Sequence, residues 1–296
     1  MKRLFEQFNE DLKKIPLFNK SVISSEKEDN SIKTINNMFN CIDLTSLNTD
    51  DTYNKIEDFC KKVKEFPQNF KDLPNVAAVC VYSKYSSILK KVLGNTDVKR
   101  AVVSACFPTS QTSLSNKIQE TNEALLNGAN EIDIVIDIGE FLEENYDVVG
   151  NEILAIKNNM KKIDEEAKLK VILETGMLDT SENIWKASLL AMEAGADFIK
   201  TSTGKHSVSA TPEAVWIMAH AIKAFYVKKG KLAGLKPSGG IVTVSDATTY
   251  YTIAKNVLGD KFMNNKYFRF GASRLANNLL TEIERLKGSD KVISYF

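Results

Sequence analysis

Glu131-Ile132-Asp133-Ile134-Val135-Ile136-Asp137-Ile138-Gly139 alternates without a break. Successive side chains of a β-strand point to opposite faces, so the four isoleucines share one face and Asp133, Val135 and Asp137 share the other. A face of isoleucine asks for a covering layer. A carboxylate on the opposite face is costly in a protein interior unless it is paired. The stretch reads as a strand with an apolar back and a charged front.

Working outward, short apolar runs recur on either side of it, at Cys41–Leu47, Val76–Tyr82, Ala101–Phe107, Lys170–Thr175, Phe198–Ser202, Leu232–Lys236 and Tyr267–Phe270. With the Ile132–Ile138 core of the first stretch they make eight. Between them lie segments of helical spacing such as Ser181–Ala194, Pro212–Tyr226 and Arg274–Lys287; Asp179-Thr180-Ser181 precedes one helix, Thr211-Pro212-Glu213 opens another and Ser245-Asp246 a third, and glycines often follow. Strands that alternate with helices build a parallel sheet, and eight such units in about 250 residues is the count of a closed (β/α)8 TIM barrel. The rival is an open doubly wound sheet with a dinucleotide site, but no G-x-G-x-x-G follows the first strand. The expected division is a helical extension at residues 1–39, the barrel at 40–290 and a tail at 291–296. Within the extension, Arg3–Lys14 carries Leu4, Phe5, Phe8 and Leu12 at helical spacing, Ser21–Asn30 reads as a loop, and Ser31–Asn40 reads as a second helix.

Composition narrows the function. The 296 residues contain 39 Lys plus Arg against 38 Asp plus Glu. That near-balance gives no sign of a nucleic-acid surface. No apolar run is long enough to span a bilayer, and the N-terminus lacks the apolar core of a secretory signal, so a cytoplasmic protein is expected. Cys41, Cys60, Cys80 and Cys106 lie too far apart for a metal knuckle and read as reduced thiols. With only two histidines, His206 and His220, an enzyme resting on several histidine ligands is not expected. His206 reads as an exposed loop residue, and His220, Trp185 and Trp216 read as helix packing.

Two more strands carry charge where a barrel should be dry. Phe198-Ile199-Lys200 and Leu232-Ala233-Gly234-Leu235-Lys236 place a lysine near each strand end, and the C-terminal strand ends carry the chemistry in barrels. Two lysines and an aspartate thus converge from the fourth, sixth and seventh strands. A lysine must be neutral to attack a carbonyl, and a second ammonium beside it lowers its pKa. The imine it forms is an electron sink for breaking a carbon–carbon bond, and a nearby carboxylate can move protons. The strands also end in small-residue turns, Thr201-Ser202-Thr203-Gly204-Lys205, Pro237-Ser238-Gly239-Gly240 and Gly271-Ala272-Ser273. Glycine lets backbone N–H groups approach an anion, and a phosphate site after the last strands recurs in this fold.

These residues carry a family resemblance. Asp197-Phe198-Ile199-Lys200-Thr201-Ser202-Thr203-Gly204-Lys205 resembles the active-lysine signature of the deoxyribose-phosphate aldolases. Leu235–Ile241 resembles their second lysine motif, Phe268–Ser273 their last phosphate turn, Glu131–Asp133 their aspartate strand and Ile42–Thr45 their first strand. The likeness runs in order from about Asn40 to Leu286, and residues 1–39 resemble the longer N-terminal region of the eukaryotic-type branch. It implies reversible cleavage of 2-deoxy-D-ribose 5-phosphate to acetaldehyde and glyceraldehyde 3-phosphate, in deoxyribonucleotide catabolism, with no metal and no organic cofactor. Lys200 is then the imine-forming residue, Lys236 the group that depresses its pKa, and Asp133 part of a proton relay. The phosphate falls to Gly204, Lys205, Gly239, Gly240, Gly271 and Ser273, while Asp43 and Cys80 line the pocket. For Cys80 plain core filling is the competing reading.

The chain departs from the family pattern at Val242, where arginine or another polar residue is common, and at Arg274, where serine is common. Ser83 and Ser110 also replace a usual proline and a usual glycine. The implied partner is a small phosphosugar, with no nucleic acid and no membrane; a homo-oligomer is compatible with the sequence, which leaves the oligomeric state open. Tyr295 in the aromatic tail is read either as a proton donor folded over the pocket or as part of a frayed end. Two rivals remain: a barrel isomerase acting without a covalent step, which has no need of both lysines, and an idle phosphosugar-binding protein, which has no need of three internal charges.

Overall fold

The alternating strands pair side by side in chain order. In the computed structural model, which describes residues 1–19 and 31–296, they are β1 (Ile42–Thr45), β2 (Ala78–Tyr82), β3 (Lys99–Val103), β4 (Glu131–Val135), β5 (Lys168–Ile172), β6 (Phe198–Lys200), β7 (Gly234–Lys236) and β8 (Phe270–Ala272). All pairings are parallel, and β8 returns to pair with β1. Bridges from Leu235 to Phe268 and from Ser238 to Gly271 join the β7 and β8 segments and close the ring. The (β/α)8 barrel expected from the sequence is the fold. The Ser21–Asn30 stretch, expected as a loop, lies outside the described residues.

Strand parity sorts the side chains as the alternation predicts. Val79, Val81, Val102, Ile132, Ile134, Leu169, Val171, Ile199 and Leu235 all belong to the large core under the helices and are fully buried. Ala78, Cys80, Ala101 and Val103, of opposite parity, form a separate small group inside the barrel with Leu47. One part of the reading is corrected. β4 stops at Val135, and Asp137 does not point into the barrel; its side chain accepts the Glu140 N–H and caps the short helix that follows. A free carboxylate just ahead of a helix gains more from capping orphan N–H groups than from prolonging a strand.

The helices are α1 (Lys2–Lys13), α2 (Ile32–Asn40), α3 (Tyr53–Asn69), α4 (Ser86–Leu93), α5 (Leu114–Leu126), α6 (Ile138–Leu142), α7 (Tyr146–Ile163), α8 (Ser181–Glu193), α9 (Pro212–Lys229), α10 (Val244–Leu258) and α11 (Leu275–Leu286). Thr180 and Thr211 cap α8 and α9 as expected. The cap of α10 is Thr243 rather than Ser245: Thr243 and Asp246 exchange the reciprocal bonds of a capping box, which moves the start two residues back.

α1 lies outside the ring against α8 and α9, with Phe8 stacked on Phe225 at 6.1 Å and the Trp216 indole N–H donating to the Pro16 carbonyl at 2.9 Å. α2 leads into β1 and packs against α11. The tail follows neither reading made for it. The Tyr295 hydroxyl donates to the Lys62 carbonyl and accepts from Asn69, both on α3, and its ring packs edge-on against Phe66 and Phe70. Asn277 holds the tail backbone through the N–H groups of Tyr295 and Phe296. Aromatic area on α3 and Phe39 gives the tail something to bury, so it is docked on the outer helical wall rather than frayed or folded over the barrel mouth.

Candidate active site

Asp43, Glu131, Asp133, Lys170, Lys200 and Lys236 have the parity that turns them inward. Lys200 and Lys236 sit level with one another on neighbouring strands, and Lys170 sits level with Asp133. Long cationic stems in a closed ring meet near its axis, and their ends must find carboxylates there.

The Lys200 ammonium lies 3.0 Å from Asp133 Oδ2, and the Lys236 ammonium lies 2.7 Å from the same oxygen and 2.5 Å from Asp43 Oδ2. The structure therefore brings the three residues singled out by sequence into one contact set. It adds three that the sequence reading passed over. Lys170 on β5 reaches Asp43 at 2.9 Å, Glu131 at 2.7 Å and Asp133 at 3.1 Å. Arg269, just before β8, spans Asp43 Oδ1 at 2.5 Å and Glu131 at 3.0 Å and also donates to the Asn265 carbonyl. None of the seven residues is more than 4% exposed. Glu131 shares parity with Asp133, and Lys170 and Arg269 each stand between apolar neighbours, so the alternation that revealed Asp133 carried the signal for all three.

Burial pushes the Lys200 pKa down, Asp133 opposes that, and the neighbouring Lys236 charge adds to the push; the net direction is below the ordinary lysine value. Lys236 goes the other way: burial penalises its charge, but Asp133 and Asp43 outweigh the penalty and hold it protonated. Lys170, against three carboxylates, is held well above the usual value despite burial. Asp133 is desolvated too, yet Lys170, Lys236 and Lys200 around it keep it ionised far into acid. One lysine of the set is thus pushed toward its neutral form while Lys170 and Lys236 are held toward the charged one.

Above this cluster opens a cleft of about 200 Å³ lined by the strand-end turns. Of the residues expected to hold an anion, Gly204, Lys205, Gly239, Gly240, Gly271 and Ser273 all line it, together with Thr45, Asn48, Thr203, Ser238, Val242 and Arg274. Among the described residues, its ionisable lining side chains are the cations Lys205 and Arg274, and the Lys205 ammonium rests on the Leu47 carbonyl at 2.6 Å. The floor of the cleft touches the lysine cluster at Gly271, where a Cβ would lie 2.4 Å from Ser238 Oγ and 3.2 Å from Lys236 Cε. Only glycine lets the β8 turn approach so closely. Gly239 combines a left-handed φ of +85° with a Cβ position 2.5 Å from Ser209 Oγ, so a side chain is excluded there on two grounds.

Two expected pocket residues lie deeper. Asp43 is fully buried and belongs to the ionic cluster, and Cys80 belongs to the small apolar group inside the barrel; neither lines the cleft. Burial pushes the Cys80 thiol up to about 11, so it is neutral near pH 7. His206 is half-exposed, 3.9 Å from Glu174. Trp185 and Trp216 are buried in the helical layer, with His220 against Trp216.

Residues 38–272 match the model of the DeoC/LacD family aldolases. The chain is 40% identical to the deoxyribose-phosphate aldolase of Homo sapiens, over 82% of this chain and 77% of that one. It is also 40% identical to that of Bos taurus, over 83% and 78%. Among solved structures, the tetrameric deoxyribose phosphate aldolase of Aeropyrum pernix superposes with a TM-score of 0.70, covering 89% of this chain and 97% of that one at 22% identity, a likeness of fold. No helix among the described residues is long and apolar enough to cross a membrane.

Proposed function

Since the chain belongs to the DeoC/LacD family of aldolases, we propose that it cleaves 2-deoxy-D-ribose 5-phosphate reversibly to acetaldehyde and glyceraldehyde 3-phosphate, with Lys200 as the covalent nucleophile. The observation that carries this reading is the setting of Lys200: buried, with a single ionic partner among the described residues, in a cluster whose other two lysines meet more carboxylates.

The neutral Lys200 amine adds to the C1 aldehyde of the open-chain sugar, and loss of water leaves a protonated imine. The C3 hydroxyl then gives up its proton, the C2–C3 bond breaks, and its electron pair moves into the imine. Glyceraldehyde 3-phosphate departs, and a neutral enamine stays on Lys200. Protonation of that enamine at C2 and hydrolysis release acetaldehyde and restore the amine. The protonated imine is a charge added to an already ionised interior, so its discharge to enamine is favoured where it is formed. Asp133, in contact with both Lys200 and Lys236, serves as the relay for these protons, with a water completing the path to carbon.

The cleft above supplies the anion site. Gly204, Gly239, Gly240, Gly271 and Ser273 offer backbone close to the phosphate, and Lys205 and Arg274 offer charge. Arg274 stands where it can offset the missing polar side chain at Val242, since both line the same cleft. Phosphate binding remote from the reacting carbons then contributes to holding C1 at the lysine.

Reduction with borohydride in the presence of acetaldehyde tests the covalent step. An ethyl adduct of about 28 Da on Lys200, absent in Lys200→Ala, is the expected result for an imine-forming lysine. Folded protein that yields no adduct between neutral and alkaline pH overturns the reading and returns the non-covalent isomerase as the better one.

A further inference from the structure

The lysine chemistry leaves Lys170, Glu131 and Arg269 without a task, although burying three charged side chains in a barrel is expensive. Their contacts suggest what they do. The cluster holds three carboxylates, Asp43, Glu131 and Asp133, and four basic groups, Lys170, Lys200, Lys236 and Arg269. Full ionisation leaves one positive charge unbalanced among buried groups. The basic groups are not equally held. Lys170 meets three carboxylates, Lys236 meets two, and Arg269 spans two and a backbone carbonyl. Lys200 meets one carboxylate, on the oxygen it shares with Lys236. The group with the least to lose gives up its proton.

On the reading of Lys200 as the nucleophile, we propose that Arg269 is a positioning residue for it: by occupying Glu131 and the outer oxygen of Asp43, Arg269 completes a set of three carboxylates and three cations from which Lys200 is the one left over. Without Arg269, three carboxylates face three lysines, and Lys200 is required as the third cation. Without Glu131, two carboxylates face four basic groups, and Lys200 is held even less. Without both, the balance is that of the native protein. The groups acting on Lys200 are Asp133 from β4, Lys236 from β7 and Cys80 from β2, with Lys170 of β5 in contact with Asp133 and Asp43 of β1 in contact with Lys170 and Lys236. The Cys80 thiol is neutral and does not enter the count.

The test titrates Lys200 directly, by its rate of acetylation with acetic anhydride as a function of pH, read by peptide mass spectrometry, alongside the pH dependence of kcat/KM. Arg269→Gln should move the Lys200 inflection and the acid limb of kcat/KM upward by about one unit or more, with activity returning at alkaline pH. Glu131→Gln should move both downward. The double variant Arg269→Gln/Glu131→Gln should titrate like the native protein although the ion pair is gone. A merely structural pair predicts no such opposite shifts and no return in the double variant. If Arg269→Gln does not fold, Glu131→Gln and the double variant still decide: native-like titration in both, or the same downward shift in both, overturns the proposal. A Lys200 that titrates as expected but forms no imine with acetaldehyde removes the aldolase mechanism and leaves the charge count standing. An imine with unmoved titrations removes the charge count alone.

Discussion

Along β2 and β3 the inside of the barrel is filled by Ala78, Cys80, Ala101 and Val103, whereas β1, β4, β5, β6, β7 and the approach to β8 fill it with Asp43, Glu131, Asp133, Lys170, Lys200, Lys236 and Arg269. In a ring of eight strands in chain order, β2 stands opposite β6 and β3 opposite β7. These small inward side chains therefore stand across the ring from the two lysines that end their strands. One half of the interior is packed by volume and the other is held by charge. Four long basic side chains fit because the opposite wall is small, and the ionic half stays ionised because each charge meets an opposite one, which outweighs the penalty of burial.

The largest expected effect comes from breaking the charged half. Lys236→Met deletes a cation that touches both Asp43 and Asp133. Lys200 then becomes the better-held ammonium, its pKa rises, and its neutral fraction at pH 7 falls. Turnover should drop about a hundredfold or more near neutrality, with part of it recovered at alkaline pH. A pH–rate profile checks this; a uniform loss at every pH speaks against an effect through Lys200 protonation.

Overfilling the apolar half should have a smaller effect of a different kind. Ala101→Leu adds three carbons to a fully buried site in the small interior group. Urea unfolding should show a loss of roughly 1–3 kcal/mol. Activity of the folded fraction should fall with little change in the pH profile, because crowding moves the lysine ends without changing the charge count. A shifted profile instead would mean that the two halves are coupled electrically as well as sterically.

The smallest effect is expected where neither half is touched. Removing Ser294–Phe296 strips the outer wall of a tail held by Asn277, Lys62 and Asn69. Stability should fall by about 1–2 kcal/mol for the apolar area exposed, while kcat and KM stay as they are. A sharp fall in kcat would show that the tail leaves its dock during turnover.

The barrel was legible because strand parity is a local property. Apolar backs covered by helices can be read from any five consecutive residues, and Asp133, Lys200 and Lys236 stood out against that rhythm. The glycine turns were legible for a similar reason, since close backbone approach is written in the residue type itself. Asp137 misled for the opposite reason: it fits the alternation, but the helix that begins at the next residue claimed its carboxylate as a cap. Arg269 stands between Phe268 and Phe270 as Lys200 stands among apolar neighbours, but it precedes the β8 strand end where the chemistry was sought.

By itself, then, the sequence determined the strands, which faces of them turn inward, and which basic and acidic residues occupy those faces. Only the closed ring decided who meets whom. Lys236 and Asp43 are 193 residues apart, and Arg269 and Asp43 are 226 apart. Their contact follows from register and ring closure, which no local pattern encodes. Lys200 is set apart from Lys170 and Lys236 by the number of carboxylates within its reach. That number is a property of the assembled interior, where the groups are buried and charge must balance among neighbours.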